Sequence, residues 1–413
     1  MANVRPFRAY RPPRAFAERV ACPPYDVLNT EEAREMARGN ELSFLHVNKP
    51  EIDFPPDHDP YAPDVYERGR ENLARLISEG VLVRDASPCF YIYRQKMGDH
   101  VQTGLVAGAS VAEYEDDRIK KHEFTRPDKE DDRTRHIDVL NANDEPVFLT
   151  YYARPGIDAL ISRIQKREPA YDFISADGIG HTLWVVDDPK EVATLEGLFA
   201  EVPILYVADG HHRSAAATRV SRARRQADPS APAGAAHDFF LSVIFPHDQM
   251  MIMGYNRLVK DLAEMGVEDF LARVQQKFEL HPATHGEPNR GRSYGMYIGG
   301  KWLRMVPRPG TVPEDDPVNS LDAAILQNNL LSPILGIEDP RRDKRIDFVG
   351  GIRGTAELEK RVENGKAAVA FALYPVSIEQ LIRVADAGQV MPPKSTWFEP
   401  KLRSGLFVRP LAD

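Results

Sequence analysis

One strand–turn–helix segment constrains the fold of this chain more than any other part of it. An apolar run at 204–208 predicts a buried strand, and an alanine-rich run at 215–217 predicts a helix that continues past Arg225. The residues between them are Asp209, Gly210, His211, His212 and Arg213. A strand that enters a helix through a glycine turn presents backbone N–H groups and the positive end of the helix dipole. The segment therefore predicts a phosphate-binding turn, with the alternative that the histidines only cap it.

The composition indicates a globular protein that does not attract polyanions over its whole surface. Of 413 residues, 42% are apolar and 28% charged, and the net charge is −9, which makes nucleic acid an improbable partner. The N-terminus has no apolar signal region, and the longest apolar runs are too short to span a bilayer. Cys22 and Cys89 cannot form a disulfide framework. We therefore expect a cytoplasmic protein with no membrane partner.

Strands and helices alternate along the chain, which predicts a mixed α/β (α+β) fold. The predicted strands include 43–47, a hairpin of 90–94 with 103–111, 239–245 and 367–373. The predicted helices include two segments within 256–277, then 321–331 and 377–387. We expect one domain over 1–255, which carries the glycine turn, and a C-terminal α/β region over 256–413. The loop 391–401 is expected to return from this second region to the site.

A second motif concentrates titratable groups between residues 120 and 136, and we expect it to form a loop. Its candidate site residues are His122, Glu123, Thr125, Arg133 and His136. An acid beside histidines and cations suits a polyanionic ligand together with proton transfer. A solvated charge run is the alternative. The segment is not a His-Glu-x-x-His zinc helix, because the residue four positions after His122 is arginine.

A third motif, 391–401, uses three prolines to fix a loop. It presents Lys394, Ser395, Thr396 and Lys401 beside two aromatic residues. The Lys-Ser-Thr run is like the end of a phosphate-binding loop, but the glycines of a Walker A motif are missing. Phosphate or substrate contact is therefore one interpretation, and a rigid surface loop is the other.

Taken together, the motifs of this chain resemble a bacterial and archaeal family known as domain of unknown function 1015. The shared elements are Pro-Pro-Tyr-Asp-Val (23–27), Lys-His-Glu-x-Thr (121–125), Ala-Asp-Gly-His-His-Arg (208–213), Phe-Val-Gly-Gly (348–351) and Met-Pro-Pro-Lys-Ser-Thr-x-Phe-x-Pro-Lys (391–401). The resemblance covers most of the chain. It adds Tyr25 and Asp26 to the candidate site, and it implies no particular activity.

The Asp-Gly-His-His-Arg element also resembles the ParB/sulfiredoxin-like superfamily, which includes sulfiredoxins, SpoOJ/ParB-type partitioning proteins and free-serine kinases. The resemblance implies a ParB/sulfiredoxin-like core with large insertions. It also implies that the phosphates of ATP or ADP, with Mg²⁺, bind at the glycine turn. The residues expected to bind the nucleotide are Gly210, His211, His212, Arg213, Lys394, Ser395 and Thr396. Because His211 stands where sulfiredoxins have their catalytic cysteine, we do not expect sulfinic-acid repair.

The first functional hypothesis is a nucleotide-dependent phosphotransferase that acts on a small hydroxyl-bearing molecule such as free serine. Its candidate catalytic residues are Asp209, His212 and Glu123, with Asp209 as either a base or a metal contact. Its candidate substrate-binding residues are Tyr25, Asp26, His122, Thr125, Arg133, His136 and Lys401.

Two alternatives belong to other classes of protein. One is a ParB-like binding or regulatory protein without catalysis, for which the helix after the turn offers a basic face of Arg219, Arg222, Arg224 and Arg225. The other is a metal-dependent hydrolase that uses His211, His212 and Asp209. Adjacent histidines at a helix start seldom bind one ion, because their side chains diverge.

Overall fold

The chain folds into two compact units in the computed structural model, which describes residues 1–412. The first unit comprises Met1–Met250 together with the tail that begins at Pro400. The second unit comprises Met251–Glu399. Both units combine sheets with helices, so the protein has a mixed α/β fold.

A mixed sheet that is nine-stranded among the described residues forms the centre of the first unit. The strands of this unit before its tail are β1 (Val4–Arg5), β2 (Tyr10–Arg11), β3 (Val83–Arg84), β4 (Phe90–Met97), β5 (His100–Ser110), β6 (Ile119–Lys120), β7 (Ala142–Asn143), β8 (Val147–Tyr151), β9 (Tyr171–Ile174), β10 (Gly180–Val186), β11 (Leu205–Asp209) and β12 (Phe239–Pro246). The sheet order is β6-β11-β8-β12-β5-β4-β10-β9, and β1 pairs with β5. Only β11–β6 and β12–β8 are parallel among these described pairs.

Helices surround this sheet. They are α1 (Ala17–Val20), α2 (Thr30–Ala37), α3 (Leu45–Asn48), α4 (Pro63–Ser78), α5 (Val111–Glu115), α6 (Pro127–Leu140), α7 (Pro155–Ile164), α8 (Pro189–Ala200) and α9 (His211–Ala227). Apolar residues of α7, α8 and α9 share one core with the central strands, as the fully buried Ile157, Phe199 and Ala216 illustrate. Among residues 1–412, no helix combines the length and apolar character needed to cross a bilayer.

The second unit is built on an antiparallel six-stranded sheet of order β15-β17-β16-β19-β14-β18 and a separate β13–β20 pair. Its strands are β13 (Met251–Met253), β14 (Tyr255–Val259), β15 (Phe278–Ala283), β16 (Tyr294–Ile298), β17 (Lys301–Pro307), β18 (Ile346–Gly350), β19 (Val369–Leu373) and β20 (Trp397–Glu399). Its helices are α10 (Val267–Val274), α11 (Asp322–Leu326), which continues as a π-helical turn Gln327–Leu331, α12 (Gly354–Glu363) and α13 (Ile378–Asp386).

Four predicted elements differ from the structure, and one of them is the loop 391–401, in which Trp397–Glu399 form β20. The segment 43–47 is not a strand but leads into α3, because a short apolar run does not distinguish strand from helix. Residues 256–259 of the segment 256–277 belong to the buried strand β14 rather than to a helix. The loop expected at 120–136 contains the start of α6. The buried face of that helix carries the polar residues Asp132, Arg133 and His136. The apolar residues of the segment therefore do not recur at the spacing that predicts a helix.

The buried carboxyl group of Asp322 makes the stability of the second unit depend on pH. Both of its oxygens accept a hydrogen bond from the backbone N–H of Arg292, at 3.0 Å. Burial raises the pKa of Asp322 to about 6, and the Arg292 contacts offset only part of that effect. Because the folded chain holds this proton more tightly than the unfolded chain, stability falls as pH rises from the unfolded pKa of 3.8 towards 6.

We therefore expect the thermal midpoint of unfolding to fall between pH 3.8 and about 6, and the Asp322→Asn variant to lose that part of the slope. Circular dichroism melts across this interval measure the effect. Asp339→Asn, at an exposed ion pair, is the control. An identical slope in Asp322→Asn and the parent protein would contradict the prediction.

Candidate functional site

The pairing of β11 brings three distant segments to one edge of the first sheet. β6 lies parallel to β11, with Ile119 opposite Leu205, so both strands end at the same edge. β8 lies antiparallel to β11 on its other side and therefore begins at that edge. The segments 121–125, 144–146 and 209–213 consequently meet there. Two of them belong to the motifs that the sequence singled out.

Gly210 forms the turn between β11 and α9. Its φ of +92° is in the left-handed region, and a Cβ there would lie 3.2 Å from the Arg213 guanidinium carbon and 3.4 Å from Val147 Cα. Its N–H donates to the Asp209 carboxylate at 2.8 Å, and it offers no side chain to cap α9. The first N–H groups of a helix have no intrahelical acceptor, so this turn has the electrostatics of an anion site.

Asp209, the last residue of β11, is held as a carboxylate. Lys401 Nζ, from the tail of the same unit, lies 2.9 Å from its Oδ2. Burial raises the pKa of Asp209, but the charges of Lys401 and then Arg213 outweigh burial and hold it well below its usual range. The group is therefore ionised throughout the physiological range, and it is a weak base.

His122 and His211 lie against each other beneath the turn. Their ring centroids are 4.5 Å apart with an interplanar angle of 87°. The side chains are only 1% and 5% exposed. Burial lowers the pKa of His122 to about 4 and that of His211 well below its usual value, so both rings are neutral at pH 7. Among the described residues, His211 Nε2 has no hydrogen-bond partner, and the Val207 backbone is a partner for no more than one nitrogen of His122.

The two adjacent histidines of the turn point to different neighbours. His212 Nε2 accepts a hydrogen bond of 3.0 Å from the backbone N–H of Arg126, whereas the ring of His211 packs on His122. One donor atom each from His122, Glu123 and His211 lies within 4.8 Å of the other two. This cluster contains neither His212 nor Asp209, so its composition differs from the metal set that the sequence suggested.

Arg213 and Arg133 form a buried cationic centre behind the turn. Arg213 donates to the Pro146 carbonyl and lies 3.5 Å from the half-exposed carboxylate of Asp26. Arg133 stacks over the Tyr25 ring, with its guanidinium carbon 4.2 Å from the centroid. The expected phosphate-binding role of Arg213 stays a prediction, because its guanidinium is hydrogen-bonded to the carbonyl of Pro146, the residue before β8.

Two site residues, Asp144 and Glu145, were missed by the sequence reasoning. Glu145 accepts hydrogen bonds from the Tyr25 backbone at 2.8 Å, and from Asn48 and Ser404 at 3.2 Å. Asp144 pairs with His136 at 2.9 Å. One signal in the sequence could have revealed them, namely two consecutive acidic residues just before the apolar strand β8. Carboxylates at the point where the chain enters a core need partners, because burying an unpaired charge is costly.

The pKa values of these two carboxyl groups are shifted in opposite directions. Burial, and next the charge of Asp144, raises the pKa of Glu145. Burial also acts on Asp144, but the His136 and Arg133 charges outweigh it and lower the pKa of Asp144. A cavity of about 10 Å³ lies among this group, which is about the room that one water needs.

The remaining predicted site residues lie elsewhere. Thr125 donates to Glu130 at 2.7 Å at the beginning of α6. Lys394, Ser395 and Thr396 belong to the second unit. There, Lys394 has a φ of +57° with its ammonium 5.6 Å from the Tyr255 ring centroid, and Ser395 donates to the Pro392 carbonyl at 2.6 Å. Contact between these three residues and a nucleotide stays a prediction.

Comparisons with known proteins give one family and a set of distant structures. The sequence model of a family described as "Protein of unknown function (DUF1015)" matches residues 4–324. No curated protein matches the chain.

Three solved structures illustrate the distant likenesses. A free serine kinase in complex with AMP is 14% identical, covers 71% of this chain and 86% of its own, and has a TM-score of 0.36. SbnI with a C-terminal truncation from Staphylococcus aureus is 13% identical over 74% and 87%, with a TM-score of 0.35. A conserved hypothetical protein from Pyrococcus furiosus is 14% identical over 71% and 90%, with a TM-score of 0.34. Likeness at these scores carries no functional weight.

The ion pair of Asp209 and Lys401 generates a prediction about stability. Lys401→Met leaves a partly buried carboxylate without its cation, so we expect a loss of about 1–3 kcal/mol in the free energy of unfolding. Combining it with Asp209→Asn recovers part of that loss, because the uncompensated charge is removed. A double-mutant cycle in urea measures the coupling.

The exposed pair Arg341–Asp339 is the control for this cycle, with an expected coupling below about 1 kcal/mol. A coupling at Asp209–Lys401 no larger than that of the control would contradict the assignment.

Proposed function

We propose that this chain, which belongs to the DUF1015 family, is a nucleotide-dependent phosphotransferase that acts on a small hydroxyl-bearing molecule such as free serine. The observation that carries the proposal is the position of Asp209. It is an ionised carboxylate, anchored by Lys401, and directly precedes a glycine turn that begins a long helix. A carboxylate beside a phosphate-binding turn is an arrangement suited to phosphoryl transfer.

The phosphates of ATP or ADP fit at the start of α9. The helix has 17 residues, so its dipole is fully developed, and Gly210 adds no side chain over the turn. The backbone N–H of Arg126 is bonded to His212 at the turn, and its exposed guanidinium pairs with Asp128 at 2.9 Å.

The charge balance at this edge favours a nucleotide that arrives with a divalent cation. Asp26, Asp209 and Glu123 supply carboxylates, whereas Arg213 and Lys401 already pair with two of them. A divalent cation bound together with the phosphates would offset the negative charge of these carboxylates. Mg²⁺ prefers carboxylate and phosphate oxygens, and when bound it would neutralise charge on the transferred group. Asp26, with 38% of its side chain exposed, and Asp209 are the residues that would hold it.

The transfer breaks the bond between the terminal phosphorus and its bridging oxygen and forms a new bond to the acceptor hydroxyl oxygen. The hydroxyl proton passes to a carboxylate, either Glu123 or Asp209. The low pKa of Asp209 suits a loose transition state in which that proton leaves late. His212 would act as a positioning residue, because its bond to Arg126 ties the segment 121–126 to the turn.

The ParB-like alternative receives less support from the structure. Each arginine of the expected basic face is paired with a carboxylate within the first unit. The pairs are Arg219 with Glu130 and Asp131, Arg222 with Glu115, Arg224 with Asp138, and Arg225 with Asp238. The face therefore carries little net charge for a phosphate backbone. A ParB/sulfiredoxin-like relationship of the core remains part of this proposal.

Calorimetry and a product assay test the phosphotransferase. We expect ATP or ADP to bind with Mg²⁺ and a phosphorylated product to form from one member of a panel of hydroxyl-bearing amino acids. Asp209→Asn should lower kcat by about 10²–10⁴-fold, since it removes both a metal contact and a proton acceptor. Mass spectrometry of the product measures the rate.

Asp228→Asn is the control, because Asp228 lies at the far end of α9 and we expect the parent rate. Absence of nucleotide binding at millimolar concentration with Mg²⁺ would refute the proposal. A shift of duplex DNA that weakens with salt would instead favour the ParB-like alternative.

A further inference from the structure

We propose that His122, Glu123 and His211 form a binding site for one divalent transition-metal ion of the zinc, manganese or iron class. This site is separate from the oxygen ligands suggested for Mg²⁺, and the inference does not depend on phosphotransfer. Two of its residues, His122 and Glu123, follow β6, and the third, His211, is the first residue of α9.

The geometry of the three donors is close to that of a coordination sphere. One atom of each side chain lies within 4.8 Å of the other two. Ligands about 2.1 Å from a metal lie roughly 3–4 Å apart, so small side-chain rotations suffice to close the site. The rings of His122 and His211 meet edge to face, with an interplanar angle of 87°, and are not stacked.

The unpartnered nitrogens are the independent observation that points to a ligand. His122 is 1% exposed and His211 is 5% exposed, yet His211 Nε2 has no hydrogen-bond partner among the described residues, and the Val207 backbone accounts for no more than one nitrogen of His122. Buried polar atoms in proteins are almost always paired. The equally buried His181 shows the contrast, because Tyr93 contacts its Nδ1 at 2.7 Å and Ser175 contacts its Nε2 at 3.0 Å.

The donor set selects the class of metal. Two imidazoles and one carboxylate bind zinc, manganese and iron, whereas Mg²⁺ and Ca²⁺ prefer oxygen ligands. Burial favours the neutral imidazole that metals require. Three protein ligands leave coordination positions open for water or substrate.

A metal titration of the full-length, tag-free protein tests the site. The protein is stripped with a chelator, dialysed and titrated with Zn²⁺, Mn²⁺ and Co²⁺, and the bound metal is measured by mass spectrometry. We expect about one ion per chain, and strong absorption bands in the visible spectrum when the bound ion is Co²⁺. His122→Ala and His211→Ala should each weaken binding by at least about 10-fold.

Two further variants separate loss of a ligand from loss of the fold. Glu123→Gln changes a half-buried side chain, and we expect it to weaken metal binding while the circular dichroism spectrum stays that of the parent. His212→Ala is the matched control, because the His212 ring accepts a hydrogen bond from Arg126 and is not one of the three proposed ligands, and this variant should retain one ion per chain.

The inference is overturned if the parent protein binds no more metal than His122→Ala, or if Glu123→Gln binds as tightly as the parent. Because these experiments contain no nucleotide, their result is independent of the phosphotransferase assay. A protein that binds Zn²⁺ but not ATP would retain this site and lose the proposed function.

Discussion

The parallel pairing of β6 with β11 is the interaction on which the candidate site depends. It is only two residues long, with Ile119 opposite Leu205 and Lys120 opposite Tyr206. Parallel strands end at the same edge of a sheet, so this short ladder delivers the segment after Lys120 to the glycine turn. Antiparallel pairing would have sent His122 and Glu123 to the opposite edge. The contact of His122 with His211 therefore follows from strand direction.

The second constraint is the amount of charge that the first unit buries beside this edge. Asp144, Glu145, Arg133 and Arg213 are each less than a tenth exposed. Burying charges is costly unless they are paired, and here each carboxylate has a cationic or hydrogen-bonding neighbour. Such networks seldom add stability compared with an apolar core. Their presence at a sheet edge that also carries a glycine turn is typical of a functional site.

Two chemically different regions share this edge. The surface of the turn offers backbone donors, Asp209 and the partly exposed Asp26, which suit phosphate and a hard cation. Beneath it, His122, Glu123 and His211 offer nitrogen donors, which suit a softer metal. Because His211 is the first residue of α9, it belongs to both regions. Occupancy of one would consequently alter the electrostatic field at the other.

The sequence by itself determined the local structure of the motif. The apolar run, the positive-φ glycine and the alanine-rich helix are local signals, and β11, Gly210 and α9 confirm them. The mixed α/β class and the family followed from patterns along the chain. The sequence did not reveal α6, because its buried face is polar, nor the roles of Asp144 and Glu145. Only the tertiary structure decided that His122 and Glu123 meet His211, since strand direction and register are set by packing across almost ninety residues of chain.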